Sequence, residues 1–150
     1  MKLSEIITPK RINLDLTATT RDGILEELVR LLHLKTPARR ALIKTLRARE
    51  ELGSTALRNG IAIPHCRSLV IGQTLVAVGR SQRGVIFSTR ARKRTKLFFL
   101  IVAPPVGDTT DYLIILGSVA RVAQRLAKDK RAGAVKMARE FIDLVKELEA

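Results

Sequence analysis

The chain reads as an α/β sandwich built on a single sheet, and two observations carry that reading. Two continuous apolar runs of strand length, residues 75–78 and 96–102, have the character of strands covered on both faces. Around them lie segments whose apolar residues recur at helical spacing, so helices alternate with strands along the chain.

Each element follows from its residues. Leu3, Ile6 and Ile7 are spaced for one amphipathic turn, which Pro9 stops. Ile12, Leu14 and Leu16 alternate with polar residues, which predicts a strand with one buried face. Thr19 and Thr20 are candidate caps for a helix whose stripe is Ile24, Leu25, Leu28, Leu31 and Leu32. Thr36-Pro37, a cap before a first-turn proline, opens a second helix with Ala38, Leu42, Thr45 and Leu46 toward the core. Its outer face is basic, from Lys35 through Arg39, Arg40, Lys44 and Arg47 to Arg49. Residues 84–87 have the length of a short edge strand. After the break at Pro104, Pro105 and Gly107, a helix runs from Thr109 or Thr110 to about Leu126. Its stripe is Tyr112, Ile115, Leu116, Val119, Val122 or Ala123, and Leu126. A last helix from about Ala132 buries Ala134, Ala138, Phe141, Ile142, Val145 and Leu148.

At 150 residues the chain has the size of one ordinary domain with one core, residues 1–150. Apolar residues make up 46%, in periodic runs, which excludes a disordered chain. Aromatics are only 3%, with no Trp, which removes the usual stacking platform for single-stranded nucleic acid. The 28 Lys and Arg against 14 Asp and Glu give a formal charge of +14, attractive to polyanions without saying which. A single cysteine, Cys66, suits a reducing compartment. The N-terminus lacks a signal-peptide pattern, and no apolar run approaches the roughly 20 residues of a membrane helix. The expectation is a cytoplasmic protein with no membrane span.

Residues 51–69, ELGSTALRNGIAIPHCRSL, hold the chemistry. Pro64 fixes its own φ and pushes Ile63 toward extended geometry, so the strand at residues 61–63 ends sharply with the His65 ring at its edge. A neutral imidazole is a competent nucleophile toward phosphorus near neutral pH. Transfer of a phosphoryl group is mostly positioning and electrostatic stabilisation. Arg67 and the hydroxyls of Ser54 and Thr55 are near enough in sequence to assist. A lone histidine, taken blindly, more often ends a strand and bonds locally. The chain contains only His33, His65 and Cys66 as histidine or cysteine ligands, too few for zinc, and no GxxxxGK[ST] loop for nucleotides. No metal or cofactor is expected. Cys66 neighbours His65 on a strand and so points to the opposite face, packed beneath the site.

The GIAIPHCR run and the upstream ELGST resemble the signature of the bacterial phosphotransferase-system enzyme IIA family, of the fructose/mannitol and nitrogen-regulatory type. The likeness extends over nearly the whole chain, through LSEIITP, RAREELGST, FFLIVAPP and DYLIILGSVAR. It implies a central mixed β-sheet flanked by helices on both sides. It also implies that His65 accepts phosphate from the carrier HPr. Sugar-specific members hand the group to a cysteine in a IIB domain, whereas nitrogen-regulatory members use it as a signal toward a target protein.

Departures from the pattern are specific. The family's usual second histidine corresponds to Tyr112, preceded by Asp111, and a phenol donates one hydrogen bond without adding charge. Ala56 and Arg58 stand where glycines are frequent, and Arg58 offers a replacement cation. His33 reads as an ordinary residue of an early helix. Between positions 80 and 96 the seven charged residues Arg80, Arg83, Arg90, Arg92, Lys93, Arg94 and Lys96 are all basic, a run that reads as a solvated loop. Two readings follow. The first is a regulatory IIA-like phosphocarrier using His65. The second is a IIA fold turned into a binding module whose basic surface docks an acidic protein or a nucleic acid.

Overall fold

The computed structural model describes residues 2–89, 93–107 and 110–150. Its strands are β1 (Ile12–Asn13), β2 (Ile61–Ala62), β3 (His65–Arg67), β4 (Leu75–Val85) and β5 (Thr95–Ala103). Its α-helices are α1 (Leu3–Ile6), α2 (Arg21–Arg30), α3 (Thr36–Leu52), α4 (Thr110–Ala127), α5 (Arg131–Ala134) and α6 (Ala138–Glu149). The sheet is mixed. β1 runs parallel to β4, β4 antiparallel to β5, and both β2 and β3 parallel to β5 on its other side.

β5 is the central strand, and its side chains alternate between two cores. Leu97, Phe99, Ile101 and Ala103 pack with α1, α4 and α6, where Phe99 lies 6.3 Å from the Phe141 ring. Phe98, Leu100 and Val102 pack with α2 and α3, where Phe98 lies 5.3 Å from Phe87. Helices therefore cover both faces, as expected. Local chemistry sets the helix ends. Thr20 Oγ1 accepts from Gly23 N at 3.1 Å and caps α2. Glu27 accepts from Thr17 N at 2.9 Å and also from Ala18 N, tying the incoming loop to that helix. Pro37 sits in the first turn of α3.

Several expectations are corrected. The strand expected through Leu16 is paired only at Ile12–Asn13. Ile12 and Leu14 enter the α4–α6 core, whereas Leu16 enters the α2–α3 core. Asp15 N donates to Asn13 Oδ1, a local turn that breaks the alternation. α2 stops at Arg30, and Leu31 to His33 form a turn in which His33 adopts φ 57° and bonds Lys10 O through Nε2, so His33 is not helical. Thr45 is exposed, and Glu50 takes the buried position one turn on from Leu46. Val85 is no separate edge strand but the end of β4, after an irregularity between Arg80 and Val85 with Gly84 at φ +78°. The last helix is two, α5 and α6; Ala134 is exposed and Leu144 is buried. Thr109, the earlier of the two starts for α4, lies outside the described residues. No described helix is long and apolar enough to cross a membrane.

Gly79, in the middle of β4, is required by close approach. A Cβ there would lie 2.6 Å from Leu16 Cδ1 and 2.8 Å from Leu28 Cδ2, both on buried side chains. Gly79→Ala is expected to lose about 1–3 kcal/mol of stability by overpacking. Gly72→Ala, with nothing within 4 Å of the new Cβ, should change it by less than about 0.5 kcal/mol. Urea unfolding of the two variants checks the contrast.

Candidate functional site

The site begins at the C-terminal end of α3. Glu50 is buried, and its carboxylate accepts from Thr55 N at 3.0 Å and from the Thr55 hydroxyl. Arg49, on the next face of the same turn, donates from Nη1 to Gly53 O at 2.8 Å. These bonds fix the chain leaving the helix. Residues 55–57 then fold back along β2, with Ile63 N donating to Thr55 O and Leu57 N to Ile61 O. Asn59 and Gly60, the latter at φ +85°, close the turn.

Pro64 interrupts the strand without ending it. β2 pairs with β5 at Leu97 and Phe98, Ile101 N donates to Pro64 O, and β3 resumes with His65 opposite Ile101. This corrects the expected sharp end at Pro64: His65 opens a second paired stretch, because the proline carbonyl still accepts a ladder bond although its nitrogen has none to give. His65 and Arg67 are half-buried and Cys66 is buried between them, the two-residue alternation of a strand. β3 is at the sheet margin, and a groove of about 520 Å³ runs beside it between α3 and α4. His65, Arg67, Arg49, Leu52, Tyr112 and Leu116 line it.

The geometry fixes the imidazole's tautomer. His65 Nδ1 lies 2.7 Å from Ile63 O, which can only accept, so Nδ1 carries a hydrogen, and in the neutral ring the lone pair is on Nε2. The Arg67 guanidinium sits over the Tyr112 ring, 5.0 Å from its centroid, which holds a cation beside the histidine. Burial pushes the Tyr112 phenol up; Cys66 adds to this, and Arg67 and Arg49 oppose it. Tyr112 therefore remains a proton donor at neutral pH. Cys66 packs into the α2–α3 core, and burial pushes its thiol up to about 11. It is a packed thiol and not a nucleophile.

The structure thus brings His65, Arg67 and Tyr112 together. The other sequence candidates sit apart from that groove. Thr55 is buried and its hydroxyl is committed to Glu50. Ser54 is exposed, and its Oγ accepts from Ala56 N. Arg58 is exposed in the turn at the far end of the Ala56–Ala62 bridge from His65. Arg49 was assigned to the outer face of its helix, yet it is half-buried and lines the groove. The signal was present: Arg49 is three residues after Leu46 and seven after Leu42, on the edge of the core stripe.

Known proteins agree with this architecture. Residues 5–148 match the family model described as phosphoenolpyruvate-dependent sugar phosphotransferase system, EIIA 2. The chain is 30% identical over 127 residues to a "Nitrogen regulatory protein" of Pseudomonas aeruginosa, covering 83% of this chain and 82% of that one. It is 33% identical over 118 residues to a "PTS system fructose-specific EIIA component" of Haloferax volcanii, covering 77% and 76%. Among solved structures it resembles the nitrogen regulatory protein IIA-Ntr of Neisseria meningitidis, with a TM-score of 0.75, 27% identity, and 95% and 98% coverage.

The Cys66 environment has a consequence for pH. Below 9.0 the thiol is protonated in both folded and unfolded chains; between 9.0 and about 11 only the unfolded chain loses the proton. Unfolding is then favoured as pH rises, by about 2–3 kcal/mol across that window. Cys66→Ala is expected to flatten this part of the stability profile, measured by urea unfolding at a series of pH values. Parallel profiles in the two proteins would contradict it.

Proposed function

The chain belongs to the phosphoenolpyruvate-dependent sugar phosphotransferase EIIA 2 family, and we propose that it is a phosphocarrier that accepts a phosphoryl group from phospho-HPr on Nε2 of His65. The observation that carries this reading is the 2.7 Å contact from Nδ1 to Ile63 O, which occupies that nitrogen and leaves Nε2 as the nucleophilic nitrogen of the neutral ring lining the groove. In the transfer, the nitrogen–phosphorus bond of the donor phosphohistidine breaks and its electron pair leaves with the donor imidazole. A new nitrogen–phosphorus bond forms at Nε2. Nδ1 keeps its hydrogen throughout, and Ile63 O stabilises the positive charge that develops on the ring.

Arg67 and Arg49 neutralise the oxygens of the phosphoryl group in flight. Tyr112 gives a hydrogen bond from its hydroxyl, which makes none to another described residue. It supplies orientation where the family more often places a second charge. Arg58, Ser54 and Thr55 act at most through the backbone turn that presents His65. Leu52 lines the groove and is exposed, and Leu69 and Leu113, close in sequence to Arg67 and Tyr112, are exposed as well. These apolar groups provide the docking area for a carrier protein, with the cations steering it.

A regulatory role, in which the phosphorylation state is read by a target protein, is supported by the relatives described as nitrogen regulatory proteins. Delivery to a IIB domain is the sugar-specific alternative, supported by the fructose-specific relative.

Incubation with phosphoenolpyruvate, enzyme I and HPr is expected to add one acid-labile phosphoryl group by intact mass. His65→Ala should add none. Arg49→Ala and Arg67→Ala should each slow the transfer roughly 100-fold while leaving the fold intact by circular dichroism. No addition under conditions that phosphorylate another EIIA protein would overturn the proposal.

A further inference from the structure

The basic run between positions 80 and 96 departs from a solvated loop at Arg80, which lies within β4 and is only 4% exposed; Lys96 lies within β5 but is exposed, as are Arg83, Lys93 and Arg94. Arg90 and Arg92 lie outside the described residues. The described members of the run converge with Lys130 on a cavity of about 740 Å³. It occupies the opposite end of the α4 face from His65. Leu97 marks the cavity along β5, and Ile101, opposite His65, is four residues further on, roughly 13 Å away. Along α4, Tyr112 borders one site and Leu126 the other.

Arg80 is the unusual group. Its Nε donates to Leu14 O at 3.2 Å and its Nη1 to Ala132 O at 3.0 Å. The Gln82 amide oxygen, correctly oriented, accepts from Nη2 at 3.0 Å. All of these partners are neutral. Asp15 supplies a favourable field but no ion pair. A buried guanidinium without a carboxylate is costly unless an anion joins it.

The rest of the cavity supplies no such anion. Arg83, Lys93, Arg94, Lys96 and Lys130 line it, and none forms an ion pair among the described residues. The one lining carboxylate, Asp129, is held by Arg131 through Nε at 3.0 Å and Nη2 at 2.8 Å. Arg83, Lys93, Arg94, Lys96 and Lys130 are exposed, so solvent and salt weaken their mutual repulsion, but together they set a positive field at the cavity that adds to the buried charge of Arg80.

We propose that this cavity, built on Arg80 with Arg83, Lys93, Arg94, Lys96 and Lys130, is a second anion site that takes a small ligand carrying several phosphate groups. A monophosphate brings at most two charges against six. The volume falls within the range of roughly 300–1,000 Å³ usual for small-molecule sites. No aromatic residue lines the cavity, so a polynucleotide would find no stacking surface there. Recognition is of the phosphates, which inorganic polyphosphate and a nucleoside polyphosphate share.

Isothermal titration of the full chain with tripolyphosphate, adenosine triphosphate, inorganic monophosphate and a short DNA duplex tests the assignment at about 150 mM salt, where screening suppresses diffuse attraction. One equivalent of tripolyphosphate or adenosine triphosphate is expected to bind, more tightly than monophosphate. Equal affinity for the two assigns a phosphate-only ligand; tighter adenosine triphosphate assigns a nucleoside polyphosphate. Arg83→Ala/Lys96→Ala should weaken binding about 10-fold or more, whereas Arg40→Ala/Lys44→Ala, which removes two exposed charges from α3, should not. His65→Ala should bind unchanged, so the result stands apart from phosphoryl transfer at that residue. Equal weakening by the two double variants, no binding at this salt, or preference for the duplex would overturn the proposal.

Discussion

The structure depends on the two-sided burial of β5. From Leu97 to Ala103 every side chain of this strand is buried, odd positions in one core and even positions in the other. A strand so placed tolerates no slip, because moving its partner by one residue would exchange the contents of both cores. That constraint holds β2 and β3 in one parallel register on either side of Pro64. With Ile61 against Leu97 and His65 against Ile101, the histidine has no choice of face. The proline needs no partner for its nitrogen and gives its carbonyl to Ile101, so the margin of the sheet bends without losing its alignment.

Two chemically distinct positions follow from the same alternation. His65 and Arg67 face the α4 side, where a half-open groove leaves the imidazole accessible. Cys66, one residue between them, faces the α2–α3 core, where burial keeps its thiol protonated. The sequence Pro-His-Cys-Arg thus separates a poised nitrogen from a silent sulfur by the strand's pleat alone. Arg49 and Arg67 reach the groove from different elements, a helix end and a strand, and their charges meet only because α3 packs against β3.

Much of the fold was legible because local signals and burial agreed. The Thr20 cap, the Pro37 first turn and the apolar runs of β4 and β5 each have a short-range cause. The misreadings arose where a long-range contact decided. Leu16 belongs to the other core because the chain turns at Asn13, where Asp15 N bonds Asn13 Oδ1, and the Leu16 amide then donates to Arg80 O. The split between α5 and α6 is set by packing of the last helix, with Leu144 and Val145 turned inward and Ala134 left outside. Arg80 looked like one member of a solvated run, and burial against Leu14 and Ala132 was invisible, since both contacts join residues more than fifty positions apart.

By itself the sequence determined the alternation of helices and strands, the family signature around GIAIPH, and the opposite facing of His65 and Cys66. These rest on periodicity, on proline's fixed φ and on the two-residue repeat of a strand, all of which act over a few residues. Tertiary structure alone decided the arrival of Arg49 beside Arg67 and Tyr112, the burial of Arg80, and the gathering of five further cations around it. Each of those depends on which elements pack together and in what register, and burial of side chains distant in sequence is what selects it.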